Sequence, residues 1–124
     1  MQDSVRIALA DDHKLFREAL RALLNTEPAF QVVAEAENGL SAIEQVQKHR
    51  PDIVLMDVNM PVMDGIDATR QIALQFPDTK VIALTLDSDC FTVEKMRRAG
   101  AAGYLPKLCS RKDLIETIHQ VQNG

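Results

Sequence analysis

Apolar positions along this chain follow two rhythms, short continuous runs and stripes that repeat every three or four residues. Val5-Arg6-Ile7-Ala8-Leu9-Ala10 is a run of strand length, after which Leu15, Ala19, Leu20, Leu23 and Leu24 recur at helical spacing through about Asn25. The pair then repeats. Phe30 to Ala36 is rich in apolar and β-branched residues, Asn38-Gly39 turns the chain, and Leu40, Ile43 and Val46 form a stripe that ends before Pro51. Ile53 to Met56 predicts a third strand, Asp64 to Gln75 a third helix with Ile66, Ile72 and Ala73 inward, and Val81 to Leu84 a fourth strand. Phe91 to Ala99 predicts a helix closed by Gly100, Gly103-Tyr104-Leu105 a short fifth strand, and Leu114, Ile115 and Ile118 the inner face of a last helix.

Five strands alternating with five helices predict an α/β fold, a doubly wound parallel sheet covered on both faces, because each right-handed crossover lays its helix against the sheet. With 124 residues, the whole span 1–124 reads as one domain with one core. Hydrophobic residues at 46% and charged residues at 26% are ordinary for a soluble protein, and no apolar run reaches the length of a membrane span. The opening MQDSVRIALA carries an acid early and runs into a strand, so no secretory signal is expected and the cytoplasm is the default compartment. Cys90 and Cys109 fit reduced thiols there. A formal charge of −4 argues against this segment gripping nucleic acid.

Ligand crevices in such sheets lie beyond the carboxyl ends of the strands, so residues that end strands matter most. They are Asp11 and Asp12 after the first strand, Asp57 at the end of the third, Thr85 at the end of the fourth and Lys107 after the fifth. Two carboxylates about 4 Å apart repel by roughly 1 to 4 kcal/mol, so a cluster of acids calls for a cation. Oxygen ligands with room for water suit Mg²⁺ better than zinc. A carboxylate nucleophile, a hard ion, an ammonium and a hydroxyl are the parts needed to transfer a phosphoryl group to aspartate.

Taken in order, Asp11-Asp12, then Asp57-Val58-Asn59-Met60-Pro61-Val62-Met63-Asp64-Gly65, then Leu84-Thr85, then Ala99 through Lys107 resemble the signatures of a response-regulator receiver domain of two-component signalling. The match spans nearly the whole chain. The segment ALADDHKLFREALRALL is further similar to receivers of the NarL/FixJ-like group that precede a LuxR-type DNA-binding domain. The resemblance implies a flavodoxin-like strand order 2-1-3-4-5. It implies that Asp57 accepts a phosphoryl group from a sensor histidine kinase, and that Mg²⁺ is held by Asp12, Asp57 and the Asn59 carbonyl, with Asp11 acting through metal-bound water. Lys107 would pair with phosphorylated Asp57, Thr85 would bond a phosphoryl oxygen and Tyr104 would swing inward, shifting the equilibrium between two arrangements. Pairing of two copies is expected through the first and fifth helices or the fourth-helix side, with Leu108 or Ile118 as contacts. DNA would be reached only through a separate C-terminal domain, absent from this segment.

Some positions depart from the family pattern. Leu108 follows Lys107 where many receivers carry proline, Pro106 instead precedes the lysine on an expected edge strand, and Leu86 places bulk where a small residue is common, which would narrow access to Asp57. Asn59 and Asp87 stand where the family tunes phosphoryl lifetime. Two alternative functions compete. A haloacid-dehalogenase-like phosphatase would need an acid two residues after the nucleophile, where Asn59 stands; a binding module would leave Asp57 unmodified. His13 could serve as a metal ligand but opens a helix beside a hard-ion site and is expected at the surface, as are His49 and His119, with Lys95, Arg97 and Arg98 on a solvated helix face, Met56, Met60, Met63 and Met96 in packing, and Phe91 more readily core than partner contact.

Overall fold

The structure, a computed structural model, describes residues 4–86 and 90–124. Asp87 and the first three residues, on which the lifetime and signal-sequence readings partly rest, lie outside the described residues. Strands β1 (Val5–Ala10), β2 (Phe30–Ala36), β3 (Ile53–Asp57), β4 (Lys80–Thr85) and β5 (Gly103–Pro106) form one parallel sheet in the order β2-β1-β3-β4-β5. Helices α1 (Lys14–Leu24), α2 (Gly39–His49), α3 (Gly65–Gln75), α4 (Cys90–Ala99) and α5 (Arg111–Asn123) alternate with them. This is the doubly wound α/β fold expected. Three strands run beyond their apolar runs, because ladder pairing of Asp57 with Leu84 and of Thr85 with Pro106 uses backbone groups whatever side chain is carried. Pro106 lies on the edge strand, where its missing N–H leaves no ladder donor unmade.

Alternation along the strands splits the core into two layers. Ile7, Leu9, Ile53, Leu55, Ile82 and Leu84 pack with Leu20 and Leu24 of α1 and Leu114 and Ile118 of α5. Their neighbours Ala8, Ala10, Val54, Met56, Val81 and Ala83 face the opposite way, against Val46 of α2, Ile72 of α3 and Met96 of α4. Both faces are therefore dry, and each fully buried Leu or Ile contributes on the order of 1.5–3 kcal/mol relative to exposure. Met56, Met60 and Met96 are buried and Met63 packs against the same layer, as expected of packing residues.

Several helix phases differ from the sequence reading. Leu15 is 80% exposed, because Phe16, Leu20, Leu23 and Leu24 form the inner stripe of α1 and position 15 lies one step of about 100° off it. Phe91 is 69% exposed rather than core. The inner face of α4 is set by Met96 and Ala99, and a residue five positions earlier lies about 140° around the helix. Its ring instead lies 4.7 Å from the Lys95 ammonium. Ile118 is fully buried and offers nothing to a partner, whereas Leu108 is almost wholly exposed. Arg97 and Arg98 are exposed and donate to Glu94, as expected of a solvated face. Hydrogen bonding from Arg97, with Arg98 behind it, holds the Glu94 carboxyl down to about 2. Cys90 and Cys109 are both free thiols, and no helix of the described residues is long and apolar enough to cross a membrane.

The β3–α3 loop is clamped from two sides. Gly39 N–H donates to the Met63 carbonyl and Gly65 N–H to the Val58 carbonyl, both at 2.8 Å. A Cβ at Gly65 would lie 2.1 Å from the Asp57 carbonyl oxygen, and one at Gly39 2.4 Å from the Met63 carbonyl oxygen, so only glycine permits either approach. Between the clamps Met63 N–H donates to the Pro61 carbonyl at 2.7 Å, closing a three-residue turn with Val62 at φ 68. A β-branched residue is disfavoured there by about 1–3 kcal/mol. Val62 is 80% exposed, so its side chain gains no burial in return. Val62→Asn is expected to stabilise the chain by about 1 kcal/mol, read from the urea midpoint at unchanged slope, since asparagine tolerates positive φ.

Candidate functional site

The parallel ladders bring the strand ends level. Asp11 N–H donates to the Ala36 carbonyl at 3.0 Å, Val58 N–H to Leu84 at 3.2 Å and Lys107 N–H to Thr85 at 2.8 Å, so β1, β3, β4 and β5 end at one rim. Asp11 and Asp57 are buried, as are Thr85 and Lys107, while Asp12, His13 and Asn59 are exposed. Ligand atoms of Asp11, Asp12, His13 and Asp57 all lie within 4.8 Å of one another. Asn59 contributes its backbone N–H, 3.4 Å from Asp57 Oδ1. The three acids singled out from the sequence thus converge, and Thr85 and Lys107 stand at the ends of the neighbouring strands on the same rim.

Lys107 sits among the acids. Its Nζ is 2.7 Å from Asp11 Oδ2 and 3.6 Å from Asp57 Oδ2, so in this arrangement the ammonium is closer to Asp11. The Phe16 ring, 4.7 Å away, covers another side of the same ammonium. The Asp57 carboxyl is raised above its ordinary value by burial first and by the charge of Asp11 next, against the opposing pull of Lys107 and the Asn59 N–H. One ammonium does not balance three carboxylates, and the residue left over favours a divalent cation of oxygen preference.

One supporting group, Arg17, stands at a position the sequence reading did not single out. Arg17, one turn into α1, donates from Nη1 to the Asp11 carbonyl at 2.6 Å and from Nε to Glu35 Oε1 at 3.1 Å. It pins the turn that carries both acids. His13 was expected at the surface and is exposed, yet its Nδ1 lies 3.1 Å from Asp11 Oδ1, 3.3 Å from Asp12 Oδ1 and 3.3 Å from Lys107 Nζ. Its place directly after Asp11-Asp12 was the available signal. His49 and His119 are partly buried, and His119 packs on the Phe30 ring with centroids 5.0 Å apart. Leu86 is 68% exposed, so most of its bulk faces solvent rather than Asp57.

Tyr104 stands on β5 with its ring packed against the layer of Met56 and Met96. Its hydroxyl is shielded from solvent and has no hydrogen-bond partner among the described residues. A buried hydroxyl left unpaired costs about 1–3 kcal/mol.

Two stability effects follow. Asp57 has a raised folded-state pKa, so its contribution is favourable below the unfolded value and is lost as pH rises through the folded value. Without divalent ions, Asp57→Asn is expected to be more stable than the parent near neutral pH by about 1 kcal/mol, the scale of one relieved like-charge contact. The gap should close as pH falls through the raised Asp57 value, and urea titrations across that range measure it. Tyr104→Phe, which removes only the orphaned oxygen, is expected to gain about 1 kcal/mol in thermal unfolding.

Comparison with known proteins extends the geometry. Residues 7–119 match the model of the response regulator receiver domain. The chain is 42% identical to the transcriptional regulatory protein DegU of Brevibacillus brevis over 99% of its length and 52% of that protein's. It is 37% identical to the response regulator UvrY of Escherichia coli over 97% of its length and 55% of that protein's. The chain therefore spans about half the length of the curated relatives it matches. Among solved structures, the signal receiver domain of the response regulator NarL from Mycobacterium tuberculosis superposes with a TM-score of 0.95 at 31% identity, covering 99% of both chains. This chain belongs to the response regulator receiver family, with relatives among NarL- and LuxR-type transcriptional regulators.

Proposed function

We propose that Asp57 accepts a phosphoryl group from a sensor histidine kinase and that the modified chain changes conformation to control an output, DNA-binding transcription regulation, in the cytoplasm. The observation that carries this reading is the convergence of Asp11, Asp12 and Asp57 around Lys107 at the strand ends. An Asp57 carboxylate oxygen attacks phosphorus while the bond from phosphorus to the kinase imidazole breaks, its electron pair returning to the nitrogen. Lys107 lies near enough to Asp57 to move from Asp11 toward the new charge. Asp11, Asp12, Asp57 and the Asn59 carbonyl are the groups to hold Mg²⁺, which when bound neutralises charge on the transferring phosphoryl oxygens. Beyond positioning and charge, such a transfer asks little of the protein.

Thr85 and Tyr104 are proposed to relay the change. Thr85 ends β4 beside the acids and Tyr104 lies on the adjacent β5, opposite Ala83 in the ladder. A phosphoryl group adds charge and acceptor oxygens, and a hydroxyl drawn toward it vacates space for the aromatic ring. The face of α4, β5 and α5 would change with it. Relatives named as transcriptional regulatory proteins are about twice as long as this chain, which supports a separate C-terminal DNA-binding domain in the full-length protein. Self-association through α1 and α5 has Leu108 as its exposed apolar candidate.

The phosphatase reading finds an amide at Asn59 where a proton donor to the leaving group is needed, which disfavours turnover of external esters. Incubation with acetyl phosphate and Mg²⁺ is expected to give a mass gain of one phosphoryl group on the intact chain and none on Asp57→Ala. Continuous release of phosphate from varied esters would mark the enzyme instead, and an unreactive chain the inert binding module. Sedimentation of the same samples reads whether modification drives pairing.

A further inference from the structure

Four N-cap residues are described, and they do not behave alike. Asn38, Asp64 and Ser110 each accept a hydrogen bond from a backbone N–H of the first turn of α2, α3 and α5. His13, the N-cap of α1, makes no side-chain cap bond. It turns its ring toward the acids instead, with its own N–H donating to Asp11 Oδ1 at 2.8 Å. That hydrogen bond fixes the backbone at the lip of the site, and a 63% exposed side chain is thereby held over it.

The position of Nδ1 is chemically frustrated. Two carboxylate oxygens, Asp11 Oδ1 and Asp12 Oδ1, lie within 3.3 Å, and so does the Lys107 ammonium. Whichever neutral tautomer the ring adopts, donor faces donor at Lys107 or acceptor faces acceptors at the acids. A divalent cation resolves the conflict, since the imidazole lone pair and both carboxylates can then point at one positive centre. The atoms concerned lie within the 4.8 Å span that also includes Asp57.

Resting on the reading of this cluster as the metal pocket of a phosphoacceptor site, we propose that His13 is a nitrogen ligand that sets the pocket's metal preference. An all-oxygen set favours Mg²⁺; adding imidazole raises affinity for borderline ions such as Co²⁺, Ni²⁺ and Zn²⁺, in the order in which first-row metals bind nitrogen. The pocket therefore takes these ions in competition with Mg²⁺. His13 is a specificity-determining residue here, and Mg²⁺ itself needs only the oxygens.

Calorimetric titration of the intact chain with Mg²⁺ and, separately, Co²⁺ at one fixed pH tests the assignment. His13→Ala is expected to weaken Co²⁺ binding by about tenfold or more, the scale on which even outer-shell partners alter metal affinity, and to leave Mg²⁺ binding within about twofold. His49→Gln, at a histidine remote from the cluster, is expected to change neither. With Mn²⁺ bound, the electron spin echo should carry the nitrogen modulation of a coordinated imidazole in the parent and lose it in His13→Ala. A Co²⁺ to Mg²⁺ affinity ratio unchanged by His13→Ala, with Mg²⁺ still bound, would overturn the role of His13 and leave the phosphoacceptor reading standing. Failure of the parent to bind Mg²⁺ would overturn both.

Discussion

Three carboxylates packed to within a few ångströms repel one another, and the rest of this molecule can be understood as what keeps them there. The opposing force is burial. β1 and β3 lie in the interior of the sheet, with Leu9 and Leu55 in one apolar layer and Ala8, Val54 and Met56 in the other, so neither strand end can retreat without exposing core. Lys107 offsets part of the charge at 2.7 Å from Asp11, and Arg17 fixes the carbonyl behind that acid at 2.6 Å. Burial of the Asp57 carboxyl, and after it the charge of Asp11 that Lys107 does not cancel, hold its pKa above the ordinary carboxylate value. Stability given up at the site is supplied by the layers behind it.

The same logic accounts for the loop after Asp57. Asn59 must lie close to Asp57, so the chain has to reverse within a few residues and enter α3. Gly65 allows the helix start to pass against the Asp57 carbonyl, and Gly39 brings the start of α2 against Met63. Between them Val62 is held at positive φ without burial to offset it. Strain next to a site persists only where surrounding contacts over-determine the backbone, and here two glycine N–H groups from different helices do so.

Strands were legible because a strand buried on both faces must be apolar throughout, which leaves runs such as Ile53 to Met56 plain in the sequence, while their order followed from the family resemblance. Strand-end acids were legible for the complementary reason: a carboxylate closing such a run has no core role. Helix phase was harder to read. Leu15 and Phe91 are apolar residues at helical spacing from others, and only packing against the sheet decides whether Phe16 or Leu15, Met96 or Phe91, turns inward. Ile118 lies on the inner face of α5 as its spacing predicts, so of the two residues expected as pairing contacts only Leu108 is exposed. His13 could be weighed as a ligand but not placed from the sequence, because nothing in a sequence fixes the direction of an exposed ring; its Nδ1 contacts with Asp11 and Asp12 do so in the structure.

Tyr104 connects the rigid rim to the surface that would report its state. Its ring shares a layer with Met96 of α4, while its hydroxyl, enclosed without a partner among the described residues, withholds about 1–3 kcal/mol from this arrangement. An arrangement penalised by that amount is shifted by a comparable increment elsewhere, and a phosphoryl group bonded to Lys107 and Thr85 as proposed would supply energy on that scale. A ligand can move an equilibrium only by its differential affinity for the two states, so the gap between them has to be small for one covalent group to suffice. On the switch proposed above, an orphaned hydroxyl on the strand next to Thr85 would narrow that gap, and β5, with α4 packed against it through Tyr104 and Met96, would be the place to respond.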